Sequence, residues 1–466
     1  MASPQTQPFR LLDLPAEIRL RIYQITLCCF DSVSPQSRIP PCIQRLEDIH
    51  PKAGHDGIFP ATHSIETAIL RTCKQVHREA YDIMVKTNQF IRIESYDVPL
   101  SNFLVQSQIP IVTLDRARTK QFQGYVMHLT ITRVDDGNWD EENMDIEIED
   151  FTPDLHAMPS AHQRGPYFNF MILARDWEAF CQMLAAGDVY GEGFTVDSMF
   201  AMQIGPKPER PDYQDDITKF FTDKIQKALL EPVRKHLRGF PSINIYGNVS
   251  HSYADGIMTE TEKPAWPDPT QTLSQLYALK ETGNQHYRTG NLVLACQAWV
   301  EARFTMQRIR GGTSWANLRH RGGTTFRMKL AELRFTLCLN CAQSYIKSLQ
   351  AQLPVLSSKH TILERLGDLA IQDLQEAEDC CISTSGWMPS DTQRAKLYYR
   401  YALCYRLAGD PRHANEAMDM IDLALEAAPA DVVLEAERQV IIEWMTSALR
   451  GWEGPSEEEA MAELEY

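Results

Sequence analysis

LKETGNQHYRTGNLVLACQAWVEA, residues 279–302, places two helical patterns on either side of a turn. Lys280 and Asn284 are four apart, so they share one face of the first helix. Gly290-Asn291 marks the turn. Beyond it, Ala295 and Ala302 stand seven apart around Trp299, and small residues at that spacing let a neighbouring helix come close. The stretch predicts a helical hairpin whose Ala295, Trp299 and Ala302 pack while Lys280 and Asn284 point elsewhere.

Related patterns follow downstream. Residues 333–349, LRFTLCLNCAQSYIKSL, predict the first helix of a second pair. Its partner, past Pro354 and Ser357-Ser358, carries Ala370, Leu374 and Ala377. A third pair begins in KLYYRYALCYRLAGD, 396–410, and has Ala417, Ile421, Ala424 and Pro429 in its second helix. A long acidic helix over 431–452 closes the series, and the Gly- and Arg-rich segment 307–325 predicts a loop. The recurring small-x6-small spacing around a large apolar residue resembles the tetratricopeptide repeat. The resemblance implies stacked helix pairs curving around a concave face lined by the first helix of each pair.

Those lining helices carry Lys280 and Asn284, then Asn340, then Lys396 and Arg400. The five resemble, residue by residue, the carboxylate clamp of tetratricopeptide cochaperones, including the immunophilin type. The implied partner is the C-terminal tail, ending Glu-Glu-Val-Asp, of a heat-shock chaperone. A terminal Asp offers two neighbouring carboxylates that call for charge-assisted donors. Lys280, Lys396 and Arg400 would supply charge, and Asn284 and Asn340 orienting hydrogen bonds.

At the other end, residues 9–27, FRLLDLPAEIRLRIYQITL, predict a helix. Pro15 suits its first turn, Glu17 suits the positive end of its dipole, and Leu14, Ile18, Ile22 and Ile25 follow at helical spacing. Residues 69–93 predict another helix, with Ile69, Leu70, Cys73, Val76, Ala80 and Ile83 on its apolar face, running through Thr87-Asn88-Gln89 into a strand from Phe90 to Ile93. Leu-Pro-x-Glu-Ile in the first segment, and Leu-x-x-Cys-x-Gln with Asn-x-Phe in the second, resemble fungal F-box-like proteins. This implies an interface of Leu14, Pro15, Ile18 and Ile22 for a Skp-type cullin adaptor, and a link to ubiquitin ligation. The chain departs from the pattern in an insertion rich in Pro and Ser, 31–64, and in Thr26 where a closing Leu is expected.

Between these ends, strands are expected at 125–132, 167–173, 194–204 and 243–246, and helices at 177–184 and 217–237. The acidic run 135–150 reads as a solvated loop, since it lacks the alternating oxygen ligands of a calcium loop. The expected organisation is an F-box-like segment over 1–100, an α+β domain over 101–261, a Pro-rich linker over 262–272, and an all-α repeat over 273–466 of three helix pairs plus a capping helix and acidic tail.

The 466 residues, 44% of them apolar, suffice for two or three domains. A formal charge of −16 speaks against nucleic acid as a partner. No apolar run suggests a membrane span, and the opening MASPQTQPFR lacks the core of a signal peptide, so the cytoplasm or nucleus is expected. Eleven cysteines without a framework read as reduced thiols. Cys338 and Cys341, spaced Cys-x-x-Cys within a helix, read as core residues and not metal ligands, as do Trp299, Tyr345 and Tyr405 as core aromatics. His77 and His128 have no partner in a nucleophile motif, and Gly311-Gly312 and Gly322-Gly323 lack the Lys and Ser/Thr of a phosphate loop. No enzyme, cofactor or metal is expected. Two readings of the groove stay open: a chaperone-tail adaptor, or a scaffold for another acidic peptide, the chain's own tail EEEAMAELEY included.

Overall fold

The computed structural model describes residues 10–31, 58–133, 168–191, 193–206, 217–352, 360–383 and 386–451. The acidic run 135–150, most of the 31–64 insertion, Pro354, Ser357-Ser358 and the tail EEEAMAELEY lie outside them. Two compact units are present, one of residues 1–265 with 307–315 and one of residues 266–306 with 316–466. The first is an α/β region built on a mixed sheet; the second is helical. No helix among the described residues is long and apolar enough to cross a membrane.

In the first unit, α1 (Ala16–Leu27) follows Pro15 and packs on α2 (Lys74–Asn88). Its inward residues are Tyr23 and Leu27, both fully buried, whereas Ile18 and Ile25 are 49% and 57% exposed. The apolar stripe at helical spacing therefore faces outward, and the α1–α2 joint is made by the other side of the helix. There Arg19 donates two bonds to Glu79, at 3.0 and 2.9 Å, and Tyr23 Oη and Gln75 Nε2 donate at 3.0 Å each. With four donors on one carboxylate, Arg19 foremost, Glu79 is held at a pKa of about 2.

α2 stops where Gln89 adopts φ 52°, and the chain turns directly into β1 (Phe90–Tyr96). β1 is paired on both sides, parallel to β2 (Tyr125–Arg133) and antiparallel to β3 (Phe168–Leu173). β4 (Ser198–Ile204) joins β2 antiparallel and β5 (Ile243–Gly247) joins β4 parallel, giving the order β3-β1-β2-β4-β5. One face is apolar, with Ile91, Ile93, Leu129, Ile131, Phe170 and Phe200 in one core with Trp177 and Phe180 of α3 (Trp177–Ala185) and Leu229, Leu230 and Val233 of α4 (Asp223–His236). On the other, Glu94 accepts from Asn169 at 2.9 Å and Tyr96 at 3.1 Å and pairs with Arg92 and His128. Burial opposes its ionisation, but the bonds from His128 and Arg92 outweigh burial and hold its pKa down to about 2.

Three expectations need correcting. Residue 100 is no boundary, because β1 belongs to the interior of the sheet and takes both partners from residues beyond it. The expected strand 194–204 begins with a helical turn, Phe194–Asp197, after Gly193 at φ 78°, and becomes a strand only at Ser198. The expected helix 217–237 is a short 3-10 turn, Ile217–Phe220, followed by α4. The last helix of this unit, α5 (His251–Glu262), leads toward the proline-rich segment.

The second unit starts earlier than the expected 273. Asp268 caps α6 (Pro269–Arg288), accepting from Gln271 N at 2.9 Å, and Pro269 fills the first turn, where its missing N–H costs nothing. Next comes α7 (Leu292–Gly311). Ala295 and Ala302 are fully buried, and Trp299 lies against Gly283 so closely that a Cβ there would come within 2.3 Å of the indole. Segment 307–325, expected as a loop, is helical through α7 and α8 (Ser314–Gln352), with one kink at Gly323, φ 59°. Gly322 serves close packing, since its Cβ would fall 2.5 Å from Phe326 Cβ. The series continues through α9 (His360–Ser383), α10 (Asp391–Ala408), α11 (Ala414–Ala427) and α12 (Val432–Gly451), each packed on the next from α9 onward. Ala370, Leu374, Ala377, Ala417, Ile421 and Ala424 are all fully buried, so the small-x6-small spacing does mark packing faces.

Candidate functional site

Four helices meet at one cavity of about 250 Å³. α6 contributes Asn284, Tyr287 and Arg288, α7 contributes Trp299, α8 contributes Asn340 and Gln343, and α10 contributes Arg400. Helical spacing brings them there: Asn284 and Arg288 are one turn apart on α6, and Asn340 and Gln343 share a face of α8. Trp299 Nε1 donates to Lys280 O at 3.1 Å, which fixes the α6 backbone against α7 beside the cavity.

Arg400 sets the electrostatics. Its Nε donates to Gln343 Oε1 at 3.0 Å and its Nη1 to Leu339 O at 2.8 Å. Both acceptors are neutral, and no carboxylate pairs with Arg400 among the described residues. Burial pushes its pKa down to about 10, against weaker support from Tyr287 and Cys404. A half-buried guanidinium in this state carries an uncompensated charge. Arg303, in the same unit, is the contrast: it bonds Asp373 at 2.6 Å and also Glu376, which in turn holds Arg334 at 2.8 Å. That network is closed on itself, whereas Arg400 faces a cavity.

Of the five residues expected in a clamp, Asn284, Asn340 and Arg400 are brought together. Lys280 is half-buried and Lys396 exposed, and neither lines the cavity. Asn284 Nδ2 donates to Glu281 at 2.9 Å, so part of its capacity is engaged within α6. Tyr287, Arg288 and Gln343 escaped sequence reasoning, although extending the Lys280/Asn284 spacing one more turn leads to Arg288. Lys347 escaped it too; its Nζ sits 4.1 Å from the centre of the Tyr287 ring.

The residues expected at an adaptor interface form an outward patch on the first unit. Pro15 and Ile18 are exposed, Leu14 and Ile22 half-buried, and Leu12 and Ile25 add exposed apolar surface. Elsewhere, Cys338 and Cys341 are fully buried, and among the described residues no group of His, Cys, Asp or Glu is arranged to hold a metal ion. His77 Nδ1 lies 2.8 Å from Leu70 O with its ring stacked on Tyr81. No family model, curated protein or solved structure matches this chain.

Proposed function

We propose that this protein is a non-enzymatic adaptor whose second unit is a tetratricopeptide-type repeat binding the acidic C-terminus of a partner peptide, of the kind found at the end of heat-shock chaperones. The observation that carries this reading is Arg400, a half-buried guanidinium without a carboxylate among the described residues, sharing one cavity with the amides of Asn284 and Asn340. An incoming carboxylate supplies the missing countercharge, and the amides orient it. Lys280 and Lys396 act in this reading as cations at the rim, drawing acidic peptides toward the groove.

The test is titration of the full chain with a Glu-Glu-Val-Asp peptide bearing a free or an amidated C-terminus. Binding of the free acid, weakened at least tenfold by amidation and by Arg400→Ala, is expected for loss of one buried charged contact. Equal binding of the two peptides would sink the carboxylate reading in favour of a scaffold with a different ligand.

The outward stripe of α1 supports a second docking function, for a Skp-type adaptor. Ile18 is exposed, so Ile18→Asp leaves folding unchanged to within about 0.5 kcal/mol. Co-purification of the purified adaptor with wild type but not with this variant is expected; capture by both variants alike removes α1 from the interface.

A further inference from the structure

Arg288 is a second cation on the wall of the cavity, and it already holds a carboxylate. One oxygen of Glu281 accepts from Arg288 Nη1 at 2.8 Å, and the other from Asn284 Nδ2 at 2.9 Å. Both donors line the cavity. Glu281 thus takes, from its own helix, an amide and a guanidinium that a ligand carboxylate would also take. The arrangement is open to water, with the Arg288 and Glu281 side chains 66% and 49% exposed, so the pair is weakly held and readily exchanged.

We infer that Glu281 is a resident substitute for a second ligand carboxylate, so that the pocket discriminates between ligands with one and with two neighbouring carboxylates. A peptide that seats one carboxylate on Arg400 takes Arg288 and Asn284 from Glu281 with another. Exchange of one carboxylate for another at Arg288 gains little, which sets a threshold on affinity. A ligand with a single carboxylate leaves Glu281 in place. The ligand class is a peptide ending in a free aspartate, whose main-chain and side-chain carboxylates are close enough to span a cavity of about 250 Å³. The inference rests on the carboxylate-pocket reading proposed above.

The experiment titrates the full chain with labelled Glu-Glu-Val-Asp and with Gln-Gln-Val-Asn, whose only carboxylate is the C-terminal one. Glu281→Gln is expected to tighten the first about fivefold, the scale of one exposed ion pair, and to leave the second unchanged. In an Arg288→Gln background the gain from Glu281→Gln should vanish. Persistence of the gain in that background means a long-range charge effect and overturns the inference. No gain at all also overturns it, while a loss of binding in Arg400→Ala under the same conditions leaves the pocket reading standing. Wild-type binding that Arg400→Ala does not weaken, or no wild-type binding, removes the pocket reading and this inference together.

Discussion

Two arginines in one helical unit show how context decides what a charge does. Arg303 sits between Asp373 and Glu376, so removing it takes the guanidinium from Asp373 in the interior and leaves Glu376 to Arg334. Arg303→Met should therefore lower stability by about 3–5 kcal/mol. Arg400 has only an amide oxygen and a backbone carbonyl to hold, and its charge is costly there. Arg400→Met should leave the fold as stable as wild type or about 1 kcal/mol more stable, since the relieved desolvation outweighs the two lost bonds. Urea midpoints of the two variants check this; an Arg400→Met chain destabilised as much as Arg303→Met would mean that Arg400 is structural. Asn284, Asn340 and Arg400 were legible in the sequence because helical spacing fixes the face a residue takes. Lys280 and Lys396 do not line the cavity, and spacing alone does not say where a long flexible side chain ends. Arg288 was missed although it lies one turn beyond Asn284 in the same spacing.

At the scale of elements, packing stripes were legible and polarity was not. The small residues of α7, α9 and α11 lie on buried faces as their spacing requires. On α1 the apolar stripe lies outside, and the joint with α2 depends on Glu79, a residue that no periodicity marks. This joint gives the fold a pH dependence whose sign follows from the shift. Glu79 ionises at about 2 in the folded chain against an ordinary 4.5. Its contribution is thus complete above pH 4.5 and fades as the pH falls toward 2. Glu79→Gln should unfold more easily than wild type at pH 7 and by a smaller margin at pH 3, as read from thermal midpoints followed by circular dichroism. A margin independent of pH would show that the ionised form contributes nothing. The loop reading of 307–325 failed for a related reason: Gly322, which suggests a break by composition, serves here for close approach to Phe326 within a helix.

For the whole molecule, strand propensity identified the sheet's members but could not say who pairs with whom. β1 was assigned to a segment ending at residue 100, and its partners β2 and β3 lie beyond that. A fragment of residues 1–100 should therefore remain unfolded, with the circular dichroism of a disordered chain, whereas a separable module would give cooperative melting.

The same placement of β1 bears on how the protein is made. Its hydrogen-bonding edges leave the ribosome before either neighbour has been synthesised, and β3 begins only at Phe168. Both edges of β1 are open until β2 emerges and one stays open until β3 follows, a species prone to wrong pairing. A chain with this topology carries an open strand edge through part of its own translation.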